Sequence, residues 1–287
     1  MSREPVPLTG RRIVTIALNV PGPMAAQRLH DLGAAVIKVE PPEGDPLSRS
    51  SPDWYAELAN GMAVERCDLK TTAGRERMYA WLADTDLLLT SQRPAALSRI
   101  GLAWDELHAR FPRLCQVAIV GYPSPDAHIA GHDLTYLAAN DLLDPPTLPP
   151  TLFADVAGSE RAVIAALAIL LERERTGKAQ YAEVALSDAV KRMALPRTAG
   201  LTLPGRILGG AHPGYNLYRA RDGWVAVATL EPHFYQRLCR ELDVTDPSYE
   251  RFAARFAAAT CAHWSQFAEK HDLPIYSMPN ESGNFSE

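Results

Sequence analysis

The chain has few cysteines, and none of them belongs to a recognisable pair. Its 287 residues include four, Cys67, Cys115, Cys239 and Cys261, and no two of these are separated by only two residues. A zinc knuckle or a dithiol redox motif needs such a C-x-x-C pair, so neither is indicated and no metal site is expected. Unpaired cysteines are typical of proteins whose thiols stay reduced, and we therefore expect a cytoplasmic location.

Long hydrophobic runs are also missing. The longest, AVIAALAILL at 162–171, has ten residues and is bounded by charged residues on both sides. A helix needs about 20 apolar residues to cross a bilayer, so this run predicts a buried helix and no membrane partner is expected. The N-terminal stretch MSREPVPLTGRR carries no apolar segment of the length that a secretory signal requires.

An excess of positive charge is the third absence. The formal net charge is -5, with 29 basic and 34 acidic residues. A protein whose main task is to bind nucleic acid needs a basic surface, so this class is excluded, although a local basic pocket is compatible with the total. The remaining composition, 47% hydrophobic and 22% charged, is that of an ordinary globular protein with one or two domains.

What is present is an alternation of short apolar strands and helices. RRIVTIAL at 11–18 predicts a strand, MAAQRLHDLG at 24–33 a helix, and AAVIKVE at 34–40 a second strand, and the pattern continues with strands at 86–90 and 114–122. Such alternation predicts an α/β fold with a mostly parallel, Rossmann-like sheet, whose functional loops follow the carboxyl ends of the strands. The turn VPGP after the first strand lacks the G-x-G-x-x-G pattern, so no dinucleotide site is indicated.

The texture changes near residue 197. NLYRA and WVAVATL, joined across RDG, predict a β-hairpin, and helical patterns follow at 232–242 and 248–270. We therefore predict two domains, a large α/β domain at 1–196 and a smaller α+β domain at 197–287. The tail from residue 276 onward is polar and is predicted to be irregular.

Two residues are the first candidates for acid–base chemistry. His132 follows Gly131 in AGHDLTYLAAN, past the carboxyl end of a predicted strand, and an imidazole titrates near neutral pH without tuning. Asp155, in TLFADVAGSE, has small or apolar neighbours, so burial should raise its pKa and suit it to proton transfer or nucleophilic attack. The alternatives are a histidine held only by backbone and an aspartate that merely caps a helix.

Four further charged residues are weaker candidates. Glu231 ends the apolar stretch WVAVATLE and either faces solvent or points into a crevice, and Asp133 is either a helix cap or a residue beside the substrate. Lys38 and Arg93 lie near strand ends, where a ligand that carries phosphate binds in folds of this class. The alternative for both is an ordinary surface charge.

Taken together, these segments resemble the class III coenzyme A transferases, the CaiB/BaiF family, which also contains the α-methylacyl-CoA racemases. The resemblance covers roughly residues 10–275. It is carried by GRRIVTIALNVPGPMAAQRLHDLGAAVIKVEPPEGDPL, CDLKTTAGRERMYAWLADTDLLLTSQRPAALSRIGL, GHDLTYLAA, ADVAGSERAVIAALAILLERERTGKAQYAEVALSDA and YRARDGWVAVATLEPHFYQRL. It implies a large and a small domain, an interlocked homodimer, and an acyl-CoA substrate bound between the domains.

The resemblance implies two possible reactions. In the transferases an aspartate at the position of Asp155 attacks the acyl-CoA thioester. In the racemases that aspartate works with a histidine that precedes an aspartate, as in GHDLTY, and Glu231 matches the acidic residue that supports the histidine. The presence of His132, with Asp133 lining the site, therefore favours racemase-like proton transfer at the α-carbon of a 2-methylacyl-CoA.

The resemblance also assigns the ligand contacts. Coenzyme A enters as part of the substrate, and no permanently bound cofactor is expected. Five residues are expected to contact it. Lys38 and Arg93 would bind its phosphates, and Gly131 and Tyr136 would line the acyl-thioester path. The fifth is Asn60. Two features differ from the family pattern: Met62 replaces a basic residue in the loop before DLK, and the sequence stops soon after DLPIYSMPN. They leave a third possibility, a scaffold that binds CoA without catalysis.

Overall fold

The computed structural model describes residues 6–280, which fall into two compact units divided between Ala194 and Leu195. The first unit is built on a six-stranded parallel sheet in the order β3-β2-β1-β4-β5-β6. The strands are β1 (Arg12–Thr15), β2 (Ala35–Glu40), β3 (Ala63–Arg66), β4 (Leu87–Thr90), β5 (Cys115–Val120) and β6 (Tyr181–Ala185). The α/β fold and the parallel sheet predicted from the sequence are confirmed.

Helices cover both faces of this sheet. They are α1 (Pro21–Asp31), α2 (Leu47–Ser50), α3 (Pro52–Ala59), α4 (Thr72–Leu82), α5 (Pro94–Arg99), α6 (Trp104–Arg110), α7 (Asp133–Ala139), α8 (Phe153–Thr176) and α9 (Leu186–Met193). Alternate residues of β4 serve opposite faces: Leu87 and Leu89 join the core under α1 and α8, whereas Leu88 joins the core under α4 to α6. Because both faces are covered, β4 and β5 are buried throughout and appear in the sequence as continuous apolar runs.

The strand order places a crevice at one point of the sheet. The chain moves outward from β1 through β2 to β3, then returns to the other side of β1 with β4 and continues outward. The loops after β1 and β4 therefore leave in opposite directions, which opens a space at their carboxyl ends.

The apolar run at 162–171 lies within the 24-residue helix α8. The sequence predicts a buried helix here, but the helix is buried on one side only. Ala162, Val163 and Ala166 pack into the core, whereas Ile164 and Leu171 are 65% and 73% exposed. A helix that packs on one face of a sheet buries only one side, which accounts for the difference. Within residues 6–280 no helix is both long and apolar enough to cross a membrane.

The second unit is an antiparallel sheet with helices. The hairpin predicted across RDG is present as β7 (Tyr215–Ala220) and β8 (Gly223–Ala228), and β9 (Ile275–Pro279) adds to β8. Its helices are α10 (Leu195–Thr198), α11 (Pro232–Glu241), α12 (Tyr249–Phe256) and α13 (Cys261–His271). The last three of these helices enclose an aromatic core that includes Tyr218, Phe252, Phe256 and Trp264.

Two local predictions for this unit are wrong. The single helix expected at 248–270 is two helices, because Thr260 caps a new helix by accepting the backbone N–H of His263. The tail expected to be irregular from residue 276 contains most of β9, whose hydrogen bonds come from a strand about fifty residues away. The rest of that tail, 281–287, lies outside the described residues.

Candidate active site

A cavity of about 390 Å³ opens where the strand order reverses, and every residue that lines it belongs to the first unit. Its walls come from the segments after β1, β4 and β5, from the residues leading into α7, and from the start of α8. The polar residues that line it are Asn19, Ser91, Gln92, Arg93, His132, Tyr136 and Asp155. The fold therefore brings His132 and Asp155, 23 positions apart in the sequence, to one cavity.

His132 lies immediately before α7, with its backbone held from both sides. The hydroxyl of Thr135 accepts the backbone N–H of His132 at 3.0 Å and donates to the His132 carbonyl at 2.8 Å. The side chain is exposed and lines the cavity. The local sequence thus fixes the main chain and leaves the imidazole available to a ligand.

Asp155 is the third residue of α8, is only partly exposed, and lines the same cavity. Its pKa is raised from 3.8 to about 6, chiefly by burial and in part by the negative charge of Asp133, while His132 acts in the opposite direction. A carboxyl group with this pKa exchanges protons near neutral pH, which suits it to general acid–base work.

Asp133 is a buried residue that binds the backbone at Asp155. It is 5% exposed, and its Oδ1 accepts the backbone N–H groups of Ala154 at 2.6 Å and of Asp155 at 3.2 Å. It therefore caps the first turn of α8, whose N–H groups have no partner within that helix. It does not line the cavity. Of the alternatives left open by the sequence, the structure shows a helix cap, but on α8 rather than on its own helix α7.

Gly131 and Tyr136 form another part of the wall. Tyr136 is 1% exposed and packs edge-on against Tyr122 at 5.2 Å between ring centroids. A Cβ on Gly131 would lie 2.5 Å from the Tyr136 ring, so only glycine permits this approach. Burial raises the pKa of Tyr136 to about 12, so its hydroxyl keeps its proton at neutral pH and can donate into the cavity.

Arg93 brings a positive charge to the cavity rim. It precedes α5, is exposed, and has no ion pair among the described residues. Its neighbours are engaged with β1: Gln92 donates to the Ile16 carbonyl at 2.6 Å, and Ser91 accepts the Leu18 N–H at 3.0 Å. Sequence reasoning missed Ser91, Gln92 and Asn19 as lining residues, although their place directly after β4 and β1 was the available signal.

The groove beside Arg93 was not predicted either. It has a volume of about 560 Å³ and shares Gln92, Arg93 and Ala127 with the cavity. Arg99 and His128 also line it, so three basic side chains meet there. Arg99 follows Arg93 by six residues across the short helix α5, and this pair of arginines was the signal in the sequence.

Lys38 occupies a different environment from the one predicted. Its side chain is 1% exposed, and its Nζ pairs with Glu40 and Asp45 at 2.7 Å each. Two carboxylates already satisfy the ammonium group, and it lines neither the cavity nor the groove. The sequence could not show this ion pair, because the loop after β2 folds back and places Asp45 next to Lys38. We propose a structural role for Lys38 in place of phosphate binding.

The other two predicted residues also lie outside the cavity lining. Asn60 follows α3 and is exposed, and nearby Met62 is partly buried against the core on the α1 side. Glu231 belongs to the second unit, where it is exposed and precedes α11, and β8 ends at Ala228 before reaching it. No group of three or more metal-ligating side chains occurs within residues 6–280.

Sequence comparison identifies proteins that this chain resembles. The model of CoA-transferase family III matches residues 8–275. Succinyl-CoA–D-citramalate CoA-transferase of Chloroflexus aurantiacus is 28% identical, over 88% of this chain and 70% of its own length. The alpha subunit of succinyl-CoA–L-malate CoA-transferase of the same organism is 30% identical, over 84% and 62%. Human alpha-methylacyl-CoA racemase is 28% identical, over 93% and 76%.

Solved structures give the same fold. A hypothetical protein of Mycobacterium tuberculosis, Rv3272, superposes with a TM-score of 0.84 at 25% identity, over 96% of this chain and 85% of its own. A CaiB/BaiF family protein of Brucella suis gives 0.81 at 25% identity, over the same shares of both chains. The relatives include both CoA-transferases and a racemase. They indicate an enzyme, as expected from the sequence, and they leave its reaction type open.

Proposed function

Because the chain belongs to CoA-transferase family III, we propose that it moves a proton at the α-carbon of a 2-methylacyl-CoA and so interconverts the two configurations. The observation that carries this proposal is that His132 and Asp155 line one cavity, with the pKa of Asp155 raised to about 6. An imidazole and a carboxyl group are the side chains that most often act as general base and general acid.

The proposed reaction has two steps. Neutral His132 removes the α-proton from one face, and the electrons of the broken C–H bond form an enolate on the thioester. Protonated Asp155 then delivers its proton to the opposite face, so that the α-carbon regains four bonds in inverted configuration. The site returns to its starting state once the proton passes from His132 to solvent and Asp155 is reprotonated. Each acid or base of this kind contributes roughly 10²–10⁴-fold to the rate.

The enolate oxygen needs a hydrogen-bond donor in the same cavity. The hydroxyl of Tyr136 is protonated at neutral pH and belongs to the lining, and backbone N–H groups of the wall are the other candidates. Donors fixed in place before the reaction stabilise developing charge without reorganisation, and they are usually the larger part of the rate enhancement.

Coenzyme A fits the basic groove as part of the substrate. Arg93, Arg99 and His128 lie along it, and Arg93 is shared with the cavity, so phosphates held there would leave the thioester end beside His132. Gly131 and Tyr136 line the acyl-thioester path in this proposal. Asn60 and Glu231 stay candidates, the first for a nucleotide contact and the second for orienting His132.

The remaining parts of the proposal concern the whole protein. The two compact units correspond to a large CoA-binding domain and a small domain, the protein acts in the cytoplasm, and two chains form a homodimer. Sedimentation equilibrium tests the last point, since a species of 31.4 kDa at all concentrations would contradict it.

Transfer of CoA between carboxylic acids is the second candidate, and the CoA-transferase relatives favour it. In that reaction a carboxylate oxygen of Asp155 attacks the thioester carbon and releases CoA thiolate, which leaves an acyl–aspartyl anhydride. The thiolate then attacks the aspartyl carbonyl and frees the first acid, so that Asp155 carries CoA for the second acid. A scaffold that binds CoA without either reaction is the third candidate.

Deuterium exchange separates these functions. A panel of 2-methylacyl-CoA esters is incubated with the protein in deuterated water, and α-deuterium is read by mass spectrometry. The proposal predicts exchange, a loss of at least about 100-fold in His132→Ala, and no loss in His263→Ala, an exposed histidine outside the cavity. No exchange with any ester contradicts proton transfer; trapping of Asp155 by hydroxylamine in the presence of acyl-CoA would then indicate the transferase.

A further inference from the structure

A buried cluster of charges lies behind the wall of the cavity. Lys38, Glu40 and Asp45 are 1%, 2% and 0% exposed, and the lysine pairs with both carboxylates at 2.7 Å. Glu40 also accepts the hydroxyl of Tyr55 and the backbone N–H of Asp45, the latter at 3.2 Å. None of the three charged side chains lines the cavity, so none can touch a ligand there.

The second carboxylate oxygen of Asp45 connects this cluster to the wall. Its Oδ1 accepts the backbone N–H of Asn19 at 3.1 Å and that of Leu47 at 3.0 Å. Asn19 lines the cavity in the turn between β1 and α1, and its φ of 65° is in the left-handed region, which residues other than glycine rarely adopt. Asparagine tolerates this region better than most residues, and the hydrogen bond from its backbone N–H to Asp45 holds the turn there.

We propose that Asp45 is a positioning residue, which fixes the wall segment at Asn19 through a carboxylate that Lys38 locks in place. This inference rests on the proposed function, because the wall it positions lines the cavity in which the acyl group would react with His132 and Asp155. Lys38 holds Oδ2, so the carboxylate cannot rotate, and Oδ1 stays directed at the Asn19 N–H. On the other side of the same turn, the Leu18 N–H is held by Ser91.

Asp45→Asn tests the arrangement without changing its size. A carboxylate offers acceptors on both oxygens, whereas an amide has one acceptor oxygen and one donor nitrogen. The variant therefore cannot serve Lys38 Nζ and the Asn19 N–H together. Since Lys38 is charged and buried, the amide oxygen will face it, and the amide nitrogen will face the Asn19 N–H. The turn loses its anchor while the volume of the side chain is conserved.

Asp86→Asn is the matched control in the same unit. Asp86 also joins a buried cation to a backbone amide, because it pairs with Arg173 at 2.6 Å and accepts the Arg12 N–H at 2.9 Å. It lies before β4, at the amino end of the sheet, and does not line the cavity. Both variants remove one charge of a buried pair, and both should lower Tm.

Two measurements on the full-length variants decide the proposal. Hydrogen exchange by mass spectrometry should show at least a tenfold faster rate at the Asn19 amide in Asp45→Asn and no change there in Asp86→Asn. For α-deuteration of a 2-methylacyl-CoA, kcat/KM per folded protein should fall at least tenfold in Asp45→Asn and less than twofold in Asp86→Asn.

Each contrary result is distinguishable. Unchanged exchange at Asn19, or equal losses of kcat/KM in both variants, overturns the positioning role. Faster exchange with unchanged kcat/KM makes Asp45 a structural residue only and also overturns it. If the wild-type protein shows no deuteration, the proposed function fails, and the comparison of hydrogen exchange still decides whether Asp45 anchors the turn.

Discussion

The protonation of Asp155 depends on its surroundings. Its pKa rises from 3.8 to about 6 mainly because the carboxyl group is buried at the cavity. A carboxyl group with a higher pKa in the folded than in the unfolded state binds more protons when folded. Its ionisation therefore destabilises the fold progressively as the pH rises from about 4 to about 6.

Asp155→Asn should remove this dependence. Below pH 4 the wild-type side chain is neutral, so the two proteins should have similar Tm values. Above pH 6 the variant should have the higher Tm, because it buries an amide instead of a charge. Thermal melts from pH 3.5 to 8 measure the difference. A Tm difference that stays constant over this range would show that Asp155 ionises as in the unfolded chain.

Some properties of the candidate residues could be predicted from the sequence, and others depend on contacts that only the fold creates. His132 was singled out because it follows Gly131 past a predicted strand, and Asp155 because its neighbours are small or apolar; both features are local. Lys38 was assigned to a phosphate because it lies near a strand end, but its environment depends on Asp45, seven positions away in a loop. When a loop folds back and buries a side chain in this way, the sequence shows no periodic pattern that would reveal it.

The start of helix α8 is the element on which the proposed chemistry depends. Asp133 accepts the N–H groups of Ala154 and Asp155, so one carboxylate both caps the helix and raises the pKa of Asp155 through its charge. These two effects can be separated, because asparagine keeps a cap acceptor and removes the charge.

Asp133→Asn should therefore shift the pH profile more than the stability. Without the neighbouring negative charge the pKa of Asp155 falls, so the pH range in which Asp155 carries the proton that it must donate, and with it the pH profile of kcat/KM, should move to lower pH. Asp133→Ala should in addition cost about 1 kcal/mol of stability through the lost cap. Initial rates from pH 4 to 9 measure the shift, and an unchanged pH profile in Asp133→Asn would refute the electrostatic role.

Elements with both faces buried were the most predictable. β4 and β5 are continuous apolar runs because helices cover both sides of the sheet, and this signal is local. β9 was missed because its pairing with β8 is long-range, and the break between α12 and α13 was missed because AAAT has no strong helix breaker. Long-range pairing and weak caps thus limited the prediction of the second unit.

At the scale of the whole molecule, a net charge of -5 contrasts with a local concentration of basic side chains. Arg93, Arg99 and His128 line one groove beside the cavity, and the overall charge does not reveal this local concentration. Composition excluded nucleic-acid binding as the main task, but it could not locate this groove, because its members come from two separate segments of the chain.

Coenzyme A should stabilise the folded protein through this groove. A ligand that binds only the folded state raises Tm, and the increase shrinks as affinity falls. Arg93→Ala and Arg99→Ala should each reduce the increase, whereas Arg77→Ala, an exposed arginine paired with Glu65 on another part of the unit, should leave it unchanged. Differential scanning fluorimetry with CoA measures this. Equal increases in all four proteins would remove CoA phosphates from the groove.

The central claim is that His132 and Asp155 act on opposite faces of one α-carbon. The most direct test starts from a single enantiomer of a 2-methylacyl-CoA in deuterated water and follows configuration and α-deuterium together by proton NMR. In the proposed reaction the wild-type protein yields the opposite enantiomer carrying deuterium, and His132→Ala and Asp155→Asn each stop the inversion. An inverted product without deuterium, or a substrate that keeps its configuration and its α-proton throughout, would contradict it.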